Sequence, residues 1–288
     1  MNKIGTPIAI TRFKFLVMKK LLFILLAIPV IQACQTNKVT GRKQLTLFPE
    51  STLQQQALTE YQSFLSQNKV VTTSNNRDAE MVKRVGTRIS KAITEYYTSK
   101  GLGDELKGYK WEFNLVDSKE VNAWCMPGGK VVVYTGLLPI TQNEAALAVV
   151  LGHEITHAVA HHGNERMSQM AITQGLEVAG NIFTSNNAKA NALFTNVFAP
   201  TAQVAVLLPN SRGQEYEADH YGLIFAAMSG YNPNEAIAFW QRMAKAAETS
   251  QKPPEFLSTH PSDENRIKKL QELMPEALTY YKPINNKN

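Results

Sequence analysis

Five consecutive residues, His153-Glu154-Ile155-Thr156-His157, have the types and the spacing that a catalytic metal centre requires. On a helix, positions i and i+4 lie on one face about one turn apart, so the two imidazoles can converge on one metal ion. Glu154 lies about 100° around the helix from His153, where its carboxylate can reach a metal-bound water without becoming a ligand. The predicted chemistry is zinc-assisted hydrolysis, with Glu154 as the base that takes the proton of the water.

A chance occurrence is the alternative, because the pattern fixes only three positions. Histidine is rare in this chain, with six among 288 residues, and chance alone gives the pattern in about 1% of such sequences. A buried pair of histidines also needs polar partners, which a zinc ion supplies. These considerations favour a metal site.

A catalytic zinc site needs a third protein ligand and an open fourth position. Gly163 stands where a metzincin has its third histidine, and this excludes that class. Glu215 and Asp219 follow on a later segment at positions i and i+4. There, Glu215 can bind the metal, while Asp219 accepts a hydrogen bond from the other ring nitrogen of a ligand histidine. The same spacing also fits a solvated acidic face. We expect one Zn²⁺ per chain.

The segments before the motif show the periodicity of one helix and two strands. Apolar residues recur every four positions from Met81 to Ile93, which predicts an amphipathic helix. Strict alternation from Tyr109 to Leu115 predicts a half-buried strand. Pro127-Gly128-Gly129 marks a turn, and Lys130–Thr135 has the composition of a second strand.

Two capping patterns predict where the metal-bearing helices begin. Thr141-Gln142-Asn143-Glu144 has capping-box spacing and precedes an apolar run to Gly152, so this helix should be buried on every side. Ser211 to Gln214 repeats the spacing and predicts a helix that continues to about Ser229. Many helices and few strands indicate an α+β fold in a single domain over residues 49–280.

The basic residues are concentrated at the N-terminus. Residues 1–33 carry five of the 30 lysines and arginines and no acidic residue. The remaining chain is nearly neutral and lacks the basic footprint of a nucleic-acid-binding protein. The apolar run from Leu21 to Ile31 is shorter than the roughly 20 residues of a spanning helix. We therefore predict a secretory signal over 1–33, with Met18 as a possible start.

The end of that signal, Ile31-Gln32-Ala33-Cys34, resembles a bacterial lipobox. We expect Cys34 to be lipidated and residues 34–48 to form a polar tether. The chain has only two cysteines, so Cys125 then has no disulfide partner.

Several separate motifs resemble the gluzincin metallopeptidase family that includes HtpX, the CAAX-prenyl proteases and the periplasmic protease BepA. They are Val39-Thr40-Gly41-Arg42, Asn122-Ala123 with Pro127-Gly128-Gly129, the His153–His157 helix, the Glu215–Asp219 segment, and Thr259-His260-Pro261 with Arg266. Neither the membrane helices nor the tetratricopeptide tail of these proteins is recognisable. The resemblance is therefore to the small lipoprotein members of the family.

This resemblance implies a mostly helical zincin-type catalytic domain with a small β-sheet. It implies a zinc endopeptidase that acts on proteins or peptides of the bacterial cell envelope in quality control. The anchor at Cys34 would hold it to a membrane, with the outer membrane expected, facing the periplasm. The alternatives are a non-proteolytic chaperone or scaffold and a metal-dependent hydrolase of a non-peptide polymer such as peptidoglycan.

The resemblance also implies roles around the metal. It places the strand Gly129, Lys130, Val131, Val132 at the edge of the cleft, where an extended substrate could pair with it; a plain hairpin strand fits the pattern equally. His260 stands between Thr259 and Pro261, and the proline disfavours helix at its position. We expect it to be a fourth ligand or switch residue near the open position, as the resemblance favours, or a hydrogen-bond donor to the developing oxyanion; a capping or packing histidine is the alternative.

Two further features adjoin the motif. Residues 181–209 join the two metal-bearing helices and are predicted to cover the site as a lid. His161 and His162 follow the motif directly; helical geometry brings His161 within about 40° of His157, although packing or solvent exposure is the commoner fate of such residues.

Overall fold

The computed structural model describes residues 34–74, 76–174, 188–198, 211–249, 254–260 and 265–284. The predicted signal over 1–33 lies outside these residues. The helices are α1 Glu50–Gln67, α2 Arg77–Ser99, α3 Leu138–Thr141, α4 Glu144–Val159, α5 His162–Thr173, α6 Ala188–Phe198, α7 Ser211–Met228, α8 Glu235–Thr249, α9 Glu255–Thr259 and α10 Arg266–Thr279. The strands are β1 Cys34–Thr36, β2 Lys43–Leu45, β3 Val70–Val71, β4 Glu112–Val116, β5 Ala123–Met126 and β6 Lys130–Tyr134. The predicted α+β class, mostly helical with a small sheet, is confirmed.

Helix α4 lies at the centre of the domain. Every residue from Ala146 to Val159 is buried, as the uninterrupted apolar run predicts. One face packs against α2, whose buried side chains Val82, Val85 and Ile89 recur at helical spacing. Helix α4 also packs against α7, and this is the most extensive contact between any two of the described elements. Burial on all sides fixes the position of the histidines on α4.

The predicted cap of α4 is two residues too early. Thr141 belongs to the short helix α3, and Gln142 has φ 64°, a left-handed conformation that ends α3. Asn143 is the N-cap, and its side chain accepts a hydrogen bond of 2.8 Å from the amide of Ala146. Asparagine satisfies a free helical N–H as well as threonine does, so spacing alone could not choose between them.

Four strands form the main sheet, in the order β3-β4-β6-β5. Strand β6 pairs in parallel with β4 and antiparallel with β5, with Val132 opposite Asn114 and Trp124 respectively. The prediction that the strand beginning at Gly129 is an edge strand is therefore wrong. All five residues of β6 are buried, and Lys130 pairs at 2.6 Å with the half-exposed Glu112 of the neighbouring strand β4.

The free edge on this side of the sheet belongs to β5. This strand could not be predicted, because its sequence, Ala123-Trp124-Cys125-Met126, shows no alternation of polar and apolar residues. The turn at Gly128 and Gly129, with φ of 81° and 80°, folds β5 back onto β6. Any substrate that extends this sheet next to the cleft would have to pair with β5.

The segment predicted as a tether, residues 34–48, is folded against the domain. Strands β1 and β2 form a hairpin in which Cys34 is opposite Leu45. The buried side chains of Asn37 and Gln44 donate hydrogen bonds of 3.1 and 2.8 Å to the carbonyl of Ala160, the C-cap of α4. These polar residues therefore serve as partners for a helix end and not as a solvated spacer, and the tether prediction is wrong. Cys34 itself is exposed.

Within the described residues, the helices are all too short or too polar to cross a bilayer.

Candidate metal centre

Four side chains from three parts of the chain converge on one point. His153 and His157 come from α4, Glu215 from the second turn of α7, and His260 from the end of α9. One ligand atom from each lies within 4.8 Å of all the others. His153 Nε2 is 3.1 Å from His157 Nε2, and each is 3.3 Å from one oxygen of Glu215. Glu215 is thus turned inwards, and the alternative of a solvated acidic face does not hold for it.

Asp219 holds the other ring nitrogen of His153. Its Oδ1 lies 3.0 Å from His153 Nδ1 and accepts a second hydrogen bond, of 2.7 Å, from Arg266 Nη2. The guanidinium of Arg266 lies 3.6 Å from the centroid of the Trp240 ring, which favours the cation by its π-electron face. Asp219 is therefore fixed in the position in which it can orient a ligand histidine.

The charges at this cluster fit a divalent cation. Burial disfavours ionisation of Glu215, but His260, His157 and His153 outweigh it and hold the pKa of Glu215 well below its usual value. Burial likewise opposes protonation of His153, yet Asp219 and Glu215 raise its pKa to about 9. A cation between the ionised Glu215 and the imidazole nitrogens would be stabilised by all of these groups. Two or three nitrogens and one oxygen are a donor set that zinc prefers.

Glu154 lies beside the cluster without joining it. Its Oε1 is buried and has no hydrogen-bond partner among the described residues; His260 Nε2 approaches it at 3.3 Å. Burial raises the pKa of Glu154 above its ordinary value. A buried carboxylate of raised pKa, with one oxygen that accepts no hydrogen bond from the described residues, is suited to accept a proton from water near neutral pH.

His260 occupies the side where a catalytic site would be open. Its Nδ1 lies 3.1 Å from Glu215 Oε2 and 3.2 Å from His153 Nε2. This geometry lets it serve as a fourth ligand. Whether it acts as ligand, switch or oxyanion donor stays a prediction.

The sequence predicted packing or solvent exposure for His162 and a structural role for Glu217, away from the metal centre; the structure links both to His157. Helix α4 ends at Val159, and His161 has φ 58°, so the next residues do not continue the helical path assumed for them. His161 turns towards Glu50, 3.1 Å away, while the ring of His162 lies 2.9 Å from His157 Nδ1. Glu217 Oε2 then lies 2.9 Å from His162 Nε2. A break in helix direction of this kind leaves little signal in the sequence.

A cleft opens in front of Glu154 and His157. Strand β5 forms one wall with Trp124, Cys125 and Met126, and the end of α6 contributes Val197 and Phe198. Only α6 represents the predicted lid, because the remainder of residues 181–209 lies outside the described residues.

The sequence profile of Peptidase family M48 matches residues 83–274, which include the whole cluster. The chain belongs to this family. The predicted resemblance to the gluzincins is confirmed at the level of family M48, whereas its placement in the lipoprotein branch stays a prediction.

Three relatives show the range of similarity within M48. The mitochondrial metalloendopeptidase OMA1 of Schizosaccharomyces pombe is 35% identical over 66% of this chain and 53% of its own length. The OMA1 metalloendopeptidase of Bos taurus is 31% identical over 85% of this chain and 46% of its own length. The β-barrel assembly-enhancing protease of Yersinia pestis is 32% identical over 54% of this chain and 33% of its own length. The M48 chain thus spans about half of the OMA1 proteins and a third of the Yersinia protein.

Proposed function

We propose that this M48 protein is a zinc-dependent endopeptidase that hydrolyses peptide bonds in cell-envelope proteins. The observation that carries the proposal is the convergence of His153, His157 and Glu215 within 4.8 Å beside Glu154, a buried carboxylate with one oxygen that accepts no hydrogen bond within the described residues. The names of the relatives, metalloendopeptidase and protease, support the reaction type.

Each residue has a definite task in this proposal. His153 and His157 would bind zinc through Nε2, and Glu215 through its carboxylate. Bound zinc supplies a Lewis acid that polarises a peptide carbonyl and makes a water molecule acidic near pH 7. Glu154 would accept a proton from the attacking water and return it to the leaving amine, as its raised pKa favours. Asp219 keeps the Nδ1 proton of His153 directed away from the metal.

Strand β5 is the proposed surface for substrate. It has no partner on its outer side in the described sheet, and its residues line the cleft that contains Glu154. An extended peptide that added to β5 would pass the catalytic base. This arrangement favours an endopeptidase over a hydrolase of a non-peptide polymer such as the glycan of peptidoglycan, because a polysaccharide offers no strand to pair.

The proposed location is the bacterial cell envelope, with Cys34 lipidated and the domain facing the periplasm. The basic, apolar leader and the exposed position of Cys34 support it. The names of the OMA1 relatives place those proteins in mitochondria. The proposed envelope location of this protein therefore rests on its leader. A role in protein quality control belongs to the same proposal.

A non-proteolytic scaffold is the second candidate, and His260 is the observation that favours it. Four protein ligands are typical of structural zinc, and His260 lies in the place of a fourth. A resting protease with His260 as a displaceable ligand has the same geometry.

Zinc content and casein cleavage by the wild-type protein and Glu154→Gln test the proposal. The amide cannot accept the proton but leaves every proposed ligand in place. A protease gives one zinc per chain in both proteins and cleavage only in wild type. Full activity in Glu154→Gln, or no zinc in wild type, would contradict it; equal inactivity with bound zinc would indicate the scaffold.

A further inference from the structure

The N-terminal hairpin reaches the metal centre through a continuous chain of polar side chains. Arg42, between β1 and β2, directs its Nε to Glu217 Oε1 at 2.8 Å. The other oxygen of Glu217 lies 2.9 Å from His162 Nε2, and His162 Nδ1 lies 2.9 Å from His157 Nδ1. Each distance is that of a good hydrogen bond. We propose that Arg42, Glu217 and His162 are positioning residues that orient His157 and increase its affinity for zinc, an inference that rests on the proposed function.

The direction of the hydrogen bonds follows from the position of His157. Its Nε2 faces Glu215 and His153, so in the metal-binding tautomer the proton is on Nδ1. That proton is donated to His162 Nδ1, which must therefore be an acceptor. The proton of His162 then lies on Nε2 and is donated to Glu217, which accepts from Arg42 at its second oxygen. One arrangement of protons thus satisfies every member of the chain.

Because this chain of hydrogen bonds is buried, the loss of one member is costly. His162 is fully buried, and the side chain of Glu217 is 12% exposed. Water therefore has little access with which to replace a lost partner, and an unsatisfied group here is costly. Asp219 accepts a hydrogen bond from Nδ1 of His153, as His162 does from Nδ1 of His157. Both proposed ligand histidines of α4 are therefore oriented through the ring nitrogen that faces away from the metal.

Arg42 is itself fixed by a second carboxylate. Its Nη1 and Nη2 donate to the two oxygens of Glu165 at 2.7 Å each, a bidentate pair. Burial opposes the charge of Arg42, but Glu165 and Glu217 raise its pKa further above the ordinary value. Among the described residues, Glu165 makes no hydrogen bond or ion pair with His162, whereas Glu217 does. Glu165 therefore shares the docking of the hairpin with Glu217 but is not part of the chain to His157.

This difference provides a matched pair of variants. Glu217→Gln and Glu165→Gln each remove one of the two carboxylates that bind Arg42, but only Glu217→Gln interrupts the chain to His157. We would purify the full-length protein in detergent, so that any lipid anchor is kept. Zinc affinity would be measured by competition with a chromophoric chelator. Thermal unfolding would be measured on the metal-free protein, and the visible spectrum of the Co²⁺-loaded protein would report the ligand field.

Glu217→Gln should weaken zinc binding, by up to about the 10-fold that loss of a direct partner of a ligand histidine costs, because it releases His162 from its acceptor, and it should change the Co²⁺ spectrum. Glu165→Gln should lower the unfolding temperature but keep the wild-type zinc affinity and spectrum. Arg42→Lys keeps the positive charge but loses the guanidinium group that binds both carboxylates at once. It should weaken zinc binding less than Glu217→Gln does. It also tests the inference if Glu217→Gln fails to fold.

Two results would overturn the inference. One is wild-type zinc affinity in Glu217→Gln and Arg42→Lys. The other is an equal loss of affinity in Glu165→Gln and Glu217→Gln, which would assign the hairpin a purely structural role. A wild-type protein that binds no zinc would instead overturn the proposed function itself.

Discussion

Gly152 on α4 and Gly222 on α7 face each other where the two helices meet. Gly152 directly precedes His153, the first proposed ligand. A Cβ on Gly222 would lie 2.8 Å from the amide nitrogen of His153, and a Cβ on Gly152 would lie 2.6 Å from the carbonyl oxygen of Gly222. Real side chains do not tolerate such distances to backbone. The two glycines therefore let the helices approach closely enough for Glu215 to reach both histidines.

Gly222→Ala should separate these helices. We expect a loss of about 1–3 kcal/mol of stability, the usual cost of overpacking, together with weaker zinc binding. Thermal unfolding and chelator competition measure the two effects. Gly213→Ala on the same helix is the control, because nothing lies within 4 Å of its Cβ. It should stabilise the helix slightly, and equal effects of both changes would contradict the close-approach explanation.

Zinc affinity should rise with pH. The pKa of His153 is raised to about 9 in the metal-free protein, so at pH 7 a proton occupies the nitrogen that zinc requires. Below that pKa, zinc must displace the proton, and affinity falls as pH falls. Calorimetry at pH 7 in buffers of different ionisation enthalpy should show release of a proton on zinc binding. A binding enthalpy that is independent of the buffer would argue against the raised pKa.

His260→Ala tests the fourth position. If His260 holds the enzyme latent, its removal should increase cleavage of casein or of the protein itself, because it frees the site for water. If it stabilises the oxyanion, turnover should fall while zinc stays bound. Kinetics with parallel zinc analysis separates the two. Lys69→Gln is the control, because Lys69 only forms an exposed ion pair with Asp117. If both variants have the same kinetics, His260 has a packing role only.

Strand β5 should bind substrate by its backbone. Successive N–H groups of an extended peptide point to opposite sides, so only alternate ones can bond to β5. N-methylation of each amide of a peptide substrate in turn should therefore raise KM at every second position. A uniform effect, or none, would rule out pairing with this edge.

The sequence predicted the metal-bearing helices well, because their signals are local. The i, i+4 spacing of His153 with His157 and the apolar run before them depend only on neighbouring residues, and α4 and α7 lie close to the predicted ranges. Glu215 and Asp219 were selected on the same basis, and the structure turns both towards α4.

Long-range pairing was not predictable in the same way. The parallel contact between β4 and β6, which moves the strand at Lys130 from the edge to the interior, joins segments separated by β5. Nothing in the alternation of one strand specifies which neighbours it takes. Likewise, Arg42 and Glu217 are 175 residues apart, and each taken alone has the composition of a solvated surface.

The docked hairpin has a consequence for biosynthesis. Arg42 leaves the ribosome long before Glu217 and Arg266, yet all three lie behind the same metal site. A nascent chain can neither seat its hairpin nor hold Asp219 in place until α7 and α10 have emerged. The order of translation therefore delays formation of the hydrolytic centre until Arg266 has emerged, and a chain terminated before that residue would lack groups that complete the centre.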